Sequence, residues 1–97
     1  MKLTIGSAQF GLDYGVSNNT GKVSNQEVNK ILNIAKKSEI NFLDTAIAYG
    51  NSESSLGLQG VSEFHIISKL NSLDKKNKNI KEDIFQQING SLDRLGV

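Results

Sequence analysis

Apolar positions recur with the period of an α-helix in two segments of the chain. In the first, Ser24 and Glu27 form a capping box, and the apolar residues that follow are spaced by three or four: Val28, Ile31, Leu32 and Ala35. The second segment runs from about Ile80 to Leu95, and Gly96 follows it at the position of a helix C-cap. Its apolar stripe comprises Ile84, Ile88, Leu92 and Leu95, with Phe85 beside it. Two amphipathic helices are therefore predicted.

Three shorter segments have the composition of β-strands. They are residues 3–8, 40–44 and 64–68, and each is short and rich in apolar residues. In the last two segments apolar residues point to both faces of the strand, which is typical of parallel strands that are covered on each face.

A short third helix fits between the second and third strands. Ser52 is its predicted N-cap, and Gly57 and Gly60 limit its length. The predicted order of elements is then β-α-β-α-β-α, which is typical of an α/β fold with right-handed crossovers. Val97 lies where a fourth strand would begin, so we expect the chain to end between two β/α units.

Composition narrows the class of protein. The chain has 97 residues, a net charge of +1 and no cysteine, which allows one small domain and argues against nucleic-acid partners, disulfides and thiol catalysis. No apolar run approaches the ~18 consecutive residues of a membrane span, and the N-terminus lacks the apolar core of a signal peptide. No metal site is predicted from the spacing of histidine and carboxylate residues. We therefore expect a cytoplasmic protein without a membrane partner.

Three chemically active side chains follow the predicted second and third strands. Asp44 ends the second strand, Tyr49 comes five residues later, and Lys69 closes the third strand. The carboxyl ends of parallel strands meet at one edge of a sheet, so these residues are expected to lie together. A lysine cation favours the phenolate form of a nearby tyrosine, and an aspartate holds that lysine charged, so Tyr49 could act as a proton donor. The spacing fits equally well an N-capping aspartate, a surface tyrosine and a lysine at a strand end.

Five ordered sequence motifs resemble those of the aldo/keto reductase family. They are Ile-Asn-Phe-Leu-Asp-Thr-Ala (40–46), Ala-Tyr-Gly-Asn-Ser-Glu (48–53), Leu-Gly (56–57), Ile-Ile-Ser-Lys-Leu (66–70) and Ser-Leu-Asp-Arg-Leu-Gly (91–96). The resemblance implies an α/β fold, the first three β/α units of a (β/α)8 TIM barrel that is incomplete in this chain. Residues 1–97 would be the N-terminal part of a single barrel domain.

The resemblance also implies an activity, the reduction of an aldehyde or ketone with NADPH or, less often, NADH. The family's catalytic residues carry over by motif to Asp44, Tyr49 and Lys69, with Tyr49 as the proton donor. The segment 6–11 corresponds to the loop after the first strand, and places Ala8, Gln9 and Phe10 with Asp44 at the cofactor. Ala8 stands where the family often has a second glycine. Residues 8–15 are also similar to family members linked to surface-polysaccharide synthesis, which suggests a sugar-derived carbonyl substrate.

The largest departure from the family pattern is the catalytic histidine, which lies beyond the last motif and is not present in this chain. His65 is not its equivalent, because it falls toward the opposite end of the barrel, where we predict a structural core residue. The family's site for the adenosine phosphate also lies outside this stretch. Two alternatives to an active enzyme therefore stand: a truncated, inactive barrel fragment, and a non-catalytic binding or regulatory relative. If the chain ends at Val97, its open sheet edges predict self-association.

Overall fold

The computed structural model describes residues 2–97 and confirms an alternating α/β arrangement. It also contains one short helix in the loop after the first strand that the sequence pattern did not predict. The elements in chain order are β1 (Thr4–Gly6), α1 (Ala8–Gly11), α2 (Asn25–Lys37), β2 (Phe42–Asp44), α3 (Ser52–Gln59), β3 (His65–Ile67) and α4 (Ile80–Leu95).

The three strands form a parallel sheet in the order β1-β2-β3. The register places Gly6, Asp44 and Ile67 side by side at the carboxyl ends of their strands. A backbone hydrogen bond of 2.8 Å from the Thr45 amide to the Ile67 carbonyl extends the pairing past the end of β2. The segments that leave the three strands therefore begin at a common edge.

Helix α2 confirms the predicted cap and the predicted buried face. The Ser24 hydroxyl accepts a hydrogen bond of 3.2 Å from the Glu27 amide, which satisfies one free amide at the helix start. Val28, Leu32 and Ala35 are buried, as expected for an apolar stripe that faces the sheet.

Helix α3 begins one residue earlier than predicted. Its N-cap is Asn51, and Ser52 is the first helical residue. The prediction of Ser52 as the cap was wrong because its hydroxyl is buried and donates to the Ser7 carbonyl at 2.9 Å, so it is turned away from the helix amides. Gly57 lies inside the helix at its contact with α4. A Cβ there would lie 2.0 Å from the Arg94 carbonyl oxygen, so only glycine allows this approach.

The core lies on one face of the sheet. Leu43 of β2 is fully buried there, and its cluster contains residues from the four helices and from the segment between α3 and β3: Phe10, Val28, Leu32, Ala35, Leu56, Val61, Phe64 and Leu95. On the opposite face Phe42 stacks on His65 with their ring centroids 5.0 Å apart, and Ile67 is 51% exposed. The His65 side chain is exposed within residues 2–97, so its predicted place in the core of a complete barrel stays a prediction. The described helices cover one face of the sheet, and alternation along the strand points His65 to the other.

Helix α4 has the predicted bounds, and Gly96 ends it in the left-handed conformation. Its apolar stripe is buried only in part. Leu95 packs in the core, whereas Phe85, Ile88 and Leu92 are exposed. The amphipathic pattern thus predicted the helix correctly. Most of the apolar face that it predicted is not covered by other residues within 2–97.

Candidate active site

The structure brings together the three chemically active residues that follow the strands. The Lys69 ammonium donates hydrogen bonds to the Asp44 carboxylate and, at 2.7 Å, to the Thr45 carbonyl oxygen. Lys69 Nζ also lies 5.3 Å from the centroid of the Tyr49 ring, within the range of a cation–π contact. Asp44, Tyr49 and Lys69 therefore form one cluster at the carboxyl edge of the sheet, with the lysine between the other two.

The surroundings of Lys69 favour its charged form. The hydrogen bond to Asp44 is the largest cause of a pKa above that of an ordinary lysine, and the negative charge of Asp44 adds to it, while partial burial opposes both. Nearness to Tyr49 acts in the same direction as Asp44. A permanently protonated lysine beside a phenol stabilises the phenolate that remains after a proton is donated. The cluster can therefore support general acid chemistry at the tyrosine.

A close backbone contact holds the loop that carries Tyr49. The Tyr49 carbonyl accepts a hydrogen bond of 3.0 Å from the Ser52 amide at the start of α3. A Cβ on Gly11 would lie only 1.7 Å from the same carbonyl oxygen, and one on Gly50 would lie 2.3 Å from the Gly11 carbonyl oxygen. Glycine at positions 11 and 50 is thus what allows α1 and the Tyr49 loop to pack backbone to backbone.

We expect Gly11→Ala to displace Tyr49. The added methyl group must push two backbone segments apart, which typically costs about 1–3 kcal/mol of stability in a packed site. A shift of ~1 Å in a reacting group can lower the rate by about 10²-fold. Thermal unfolding and turnover of the full-length protein measure the two effects, and wild-type values of both would contradict the contact described here.

A cavity of about 260 Å³ lies beside the cluster, lined by Gly6, Ser7, Ala8, Gln9, Tyr14, Asp44 and Tyr49. Three of the four residues expected at the cofactor, Ala8, Gln9 and Asp44, line it. Phe10 does not, because α1 turns its side chain into the hydrophobic core, where it is 4% exposed. The expectation of Phe10 at a cofactor is therefore corrected to a core role for its side chain.

The cavity fits part of a nicotinamide cofactor. Complete ligand pockets enclose about 300–1,000 Å³, so this space is at most part of such a pocket and has room for a group the size of one ring. The lining supplies polar groups from Asp44 and from the Gln9 side chain, whose amide donates to the Tyr14 carbonyl at 2.8 Å. A nicotinamide ring placed here would lie next to Tyr49.

A layer of buried hydroxyl groups lies behind the cluster and was missed by sequence reasoning. The Ser52 and Thr45 hydroxyls are 3.0 Å apart, and the Ser7 hydroxyl donates to the Asp44 carbonyl oxygen at 2.8 Å. All three serine and threonine residues are fully buried. These contacts tie the ends of β1 and β2 to the first turn of α3.

Glu53, in the same turn of α3, is the second feature that sequence reasoning missed. It is only 2% exposed, and its carboxylate accepts hydrogen bonds from Ser68 (2.6 Å), Ser91 (2.8 Å) and Arg94 (2.8 Å). Burial alone raises the pKa of Glu53, but the three hydrogen bonds and the charge of Arg94 outweigh it and hold the pKa below its ordinary value. Glu53, Ser68, Ser91 and Arg94 all lie within the five motifs shared with the family. Their common membership of these motifs is the one feature of the sequence that could have indicated their contacts.

Residues 2–97 contain neither a candidate metal site nor a candidate membrane-spanning helix. No group of three or more histidine or carboxylate side chains in this part of the chain could hold a metal ion. No helix over the same residues combines the length and hydropathy that crossing a bilayer requires.

Comparisons with known proteins agree on one family. The family model described as the aldo/keto reductase family matches residues 2–97. The crystal structure of PA4992 from Pseudomonas aeruginosa, assigned as an aldo-keto reductase, is similar with 29% identity and a TM-score of 0.77, over 97% of this chain and 38% of that one. A second structure from Pseudomonas aeruginosa with the same assignment has 26% identity and a TM-score of 0.75, over 97% of this chain and 36% of that one. A search of curated proteins finds no match.

The chain spans less than two fifths of the length of these two solved structures. Together with the parallel three-stranded sheet and its helices, the likeness confirms the predicted fold class: α/β, corresponding to the first part of a (β/α)8 barrel that is incomplete in this chain.

Proposed function

The chain belongs to the aldo/keto reductase family, and from this premise we propose that Asp44, Tyr49 and Lys69 are catalytic residues in the reduction of an aldehyde or ketone by NADPH. NADH is the alternative reductant. Membership of the family implies an enzyme of the oxidoreductase type. The assignment of these three catalytic residues rests on one observation: Asp44, Lys69 and Tyr49 form a cluster next to a cavity that is lined by the loop after β1.

In the proposed reaction Tyr49 is the general acid. A reduced nicotinamide, when bound, supplies a hydride to the carbonyl carbon. The Tyr49 hydroxyl gives its proton to the carbonyl oxygen, so that the products are an alcohol, the oxidised cofactor and a phenolate that takes up a proton from water. Lys69 stabilises that phenolate by its charge, and Asp44 keeps Lys69 charged and in place through their hydrogen bond.

The geometry favours this interpretation over an incidental grouping of surface residues. Asp44 is not a helix cap, because Asn51 occupies that position in α3 and the Asp44 carboxylate binds Lys69. Tyr49 is half-buried at the cavity rather than on an open surface. A non-catalytic relative would be expected to lack one member of the cluster, and all three are present.

We further propose that residues 1–97 are the N-terminal part of one barrel domain. In support, 97% of this chain aligns with only 38% and 36% of the two solved structures. The catalytic histidine and the adenosine-phosphate site would then lie in the remainder of the barrel. A small sugar-derived carbonyl substrate and a cytoplasmic location stay predictions from the sequence.

A chain that consists of these 97 residues alone is expected to self-associate. The outer edges of β1 and β3 are open, and Ile67 and Phe85 are 51% and 54% exposed, so unpaired backbone and apolar surface are both available. Light scattering coupled to size exclusion measures the mass in solution. A monomer that unfolds cooperatively would contradict the expectation.

The experiment that tests the proposed function is a turnover assay of the full-length protein. The decrease in NADPH absorbance is followed with a panel of aliphatic, aromatic and sugar-derived aldehydes, and repeated with NADH. We expect consumption that depends on both the aldehyde and the enzyme. If the protein binds NADPH but oxidises it with none of these aldehydes, the result would favour the non-catalytic relative instead.

A further inference from the structure

The carboxylate of Glu53 joins the end of β3 to helix α4. Its Oε1 atom accepts the hydroxyl hydrogens of Ser68, at 2.6 Å, and Ser91, at 2.8 Å, and its Oε2 atom accepts from Arg94 Nε at 2.8 Å. Two of these donors come from α4, and Glu53 itself belongs to α3. Ser68 is the one donor that lies on the segment leaving the sheet.

Ser68 immediately precedes Lys69, and the two side chains point to opposite sides. Successive side chains alternate along an extended strand, so a serine that faces the helices directs its neighbour toward the cavity. Accordingly the Ser68 hydroxyl reaches Glu53 in the helical layer, while the Lys69 ammonium reaches Asp44 and the Thr45 carbonyl oxygen. The hydrogen bond on one side thus helps to set the direction of the side chain on the other.

From this geometry we infer that Glu53 is a positioning residue for Lys69 and acts through the hydroxyl of Ser68. The inference rests on the proposed function, because it concerns the residue that would stabilise the phenolate. Backbone hydrogen bonds to the Ile67 and Lys69 carbonyl oxygens fix the distance of this segment from β2. They do not connect it to the helices, and the Ser68–Glu53 bond supplies that connection.

A lysine needs such support more than a shorter side chain does. Its ammonium group is carried on a flexible four-carbon stem, so the start of the stem must be fixed before the charge can be placed. Arg94 holds the Glu53 carboxylate from the α4 side through Oε2, so that the other oxygen, Oε1, is a fixed acceptor for Ser68. Helix α4 thereby helps to hold a catalytic charge that it does not touch.

Three variants of the full-length protein separate positioning from stability. Ser68→Ala removes the hydrogen bond next to Lys69. Ser91→Ala removes a bond to the same Glu53 oxygen from the far side and serves as the matched control. Ser68→Thr keeps a hydroxyl at the position and tests rescue.

The first readout is the pKa of Lys69, measured without reliance on activity by its rate of acetylation across pH, with mass spectrometry to identify the labelled residue. The groups that face Lys69 are Asp44, Tyr49 and the Thr45 carbonyl, and Asp44 is the main cause of its raised pKa. We expect Ser68→Ala to lower the pKa of Lys69 toward that of an ordinary lysine, because the ammonium moves away from Asp44. Ser91→Ala and Ser68→Thr should leave it as in the wild type.

The second readout is kcat. We expect Ser68→Ala to reduce kcat about tenfold, less than the ~10²-fold that a full 1 Å displacement can cost. Ser91→Ala should lower thermal stability to a similar extent as Ser68→Ala while keeping kcat near the wild-type value, and Ser68→Thr should restore kcat. A Ser68→Ala protein with the wild-type Lys69 pKa, or equal loss of kcat in the two alanine variants, would overturn the inference. If the wild-type protein reduces no carbonyl compound, the proposed function fails, and the acetylation measurement still decides the positioning role.

Discussion

Replacing Tyr49 with phenylalanine is expected to lower kcat for carbonyl reduction by about 10³-fold, within the ~10²–10⁴-fold range typical of a lost general acid. The substitution removes the proton donor while leaving the ring beside Lys69, whose ammonium lies 5.3 Å from the ring centroid. Cofactor affinity should change little, since the cavity keeps its shape. Steady-state turnover and fluorescence titration with NADPH measure the two quantities separately.

Tyr14 offers the matched control, because it is the other tyrosine of the chain and also lines the cavity. Tyr14→Phe removes a hydroxyl from the rim of the cavity, so any effect should fall on KM rather than on kcat. Undiminished turnover in Tyr49→Phe would remove Tyr49 from the acid role, and an equal fall of kcat in both variants would show that the loss is not specific.

Replacing Glu53 with glutamine is expected to lower the free energy of unfolding by about 3 kcal/mol, the lower end of the range for breaking a buried ion pair. The Glu53 side chain is 2% exposed, whereas that of Arg94 is 40% exposed and can recover part of its hydration. The amide that replaces the carboxylate also leaves Arg94 and the Ser68 and Ser91 hydroxyls with fewer acceptor sites. Urea unfolding of the full-length protein measures the change.

Glu27→Gln is the same chemical change at an exposed site and provides the control. Glu27 pairs with Lys30 at 3.0 Å on the surface of α2, where an ion pair contributes no more than about 1 kcal/mol. A loss of stability in Glu53→Gln no larger than that in Glu27→Gln would contradict the importance of the buried carboxylate.

The destabilisation by Glu53→Gln should depend on pH. The pKa of Glu53 is lower in the folded protein than in the unfolded chain, so its contribution is present above the unfolded value, about 4.3, and is lost as the pH falls through the folded value. The difference in stability between wild type and variant should therefore shrink in acid. A difference that stays constant from neutral pH into that range would count against the ionised carboxylate.

Local patterns were enough to predict most of the fold. Helix α2 follows from its cap at Ser24 and its apolar spacing, and α4 from its stripe and Gly96, because both depend on interactions between residues close in sequence. The predicted strands were longer than those observed, and each contains the observed strand. The grouping of Asp44 with Lys69 followed from a general property of parallel sheets, that carboxyl ends meet at one edge.

The support around the site could not be predicted in the same way. The contacts of Glu53 with Ser91 and Arg94 join positions about forty residues apart, and no local periodicity reports such pairs. Phe10 was assigned to the cofactor by its place in a motif, but the unpredicted helix α1 turns it into the core. His65 was placed in the core of a complete barrel by counting along its strand from Lys69; the described helices cover only the other face of the sheet, so that core role stays a prediction.

The most direct test of the central claim is isotope transfer by the full-length protein. NADPH that carries deuterium at the transferable position of the nicotinamide is incubated with the protein and an aldehyde, and the alcohol is analysed by mass spectrometry, alongside the Tyr49→Phe variant. We predict an alcohol with one deuterium bound to carbon from the wild type and about 10³-fold less of it from the variant. Absence of the deuterated alcohol from the wild type, or equal amounts from the two proteins, would contradict the account.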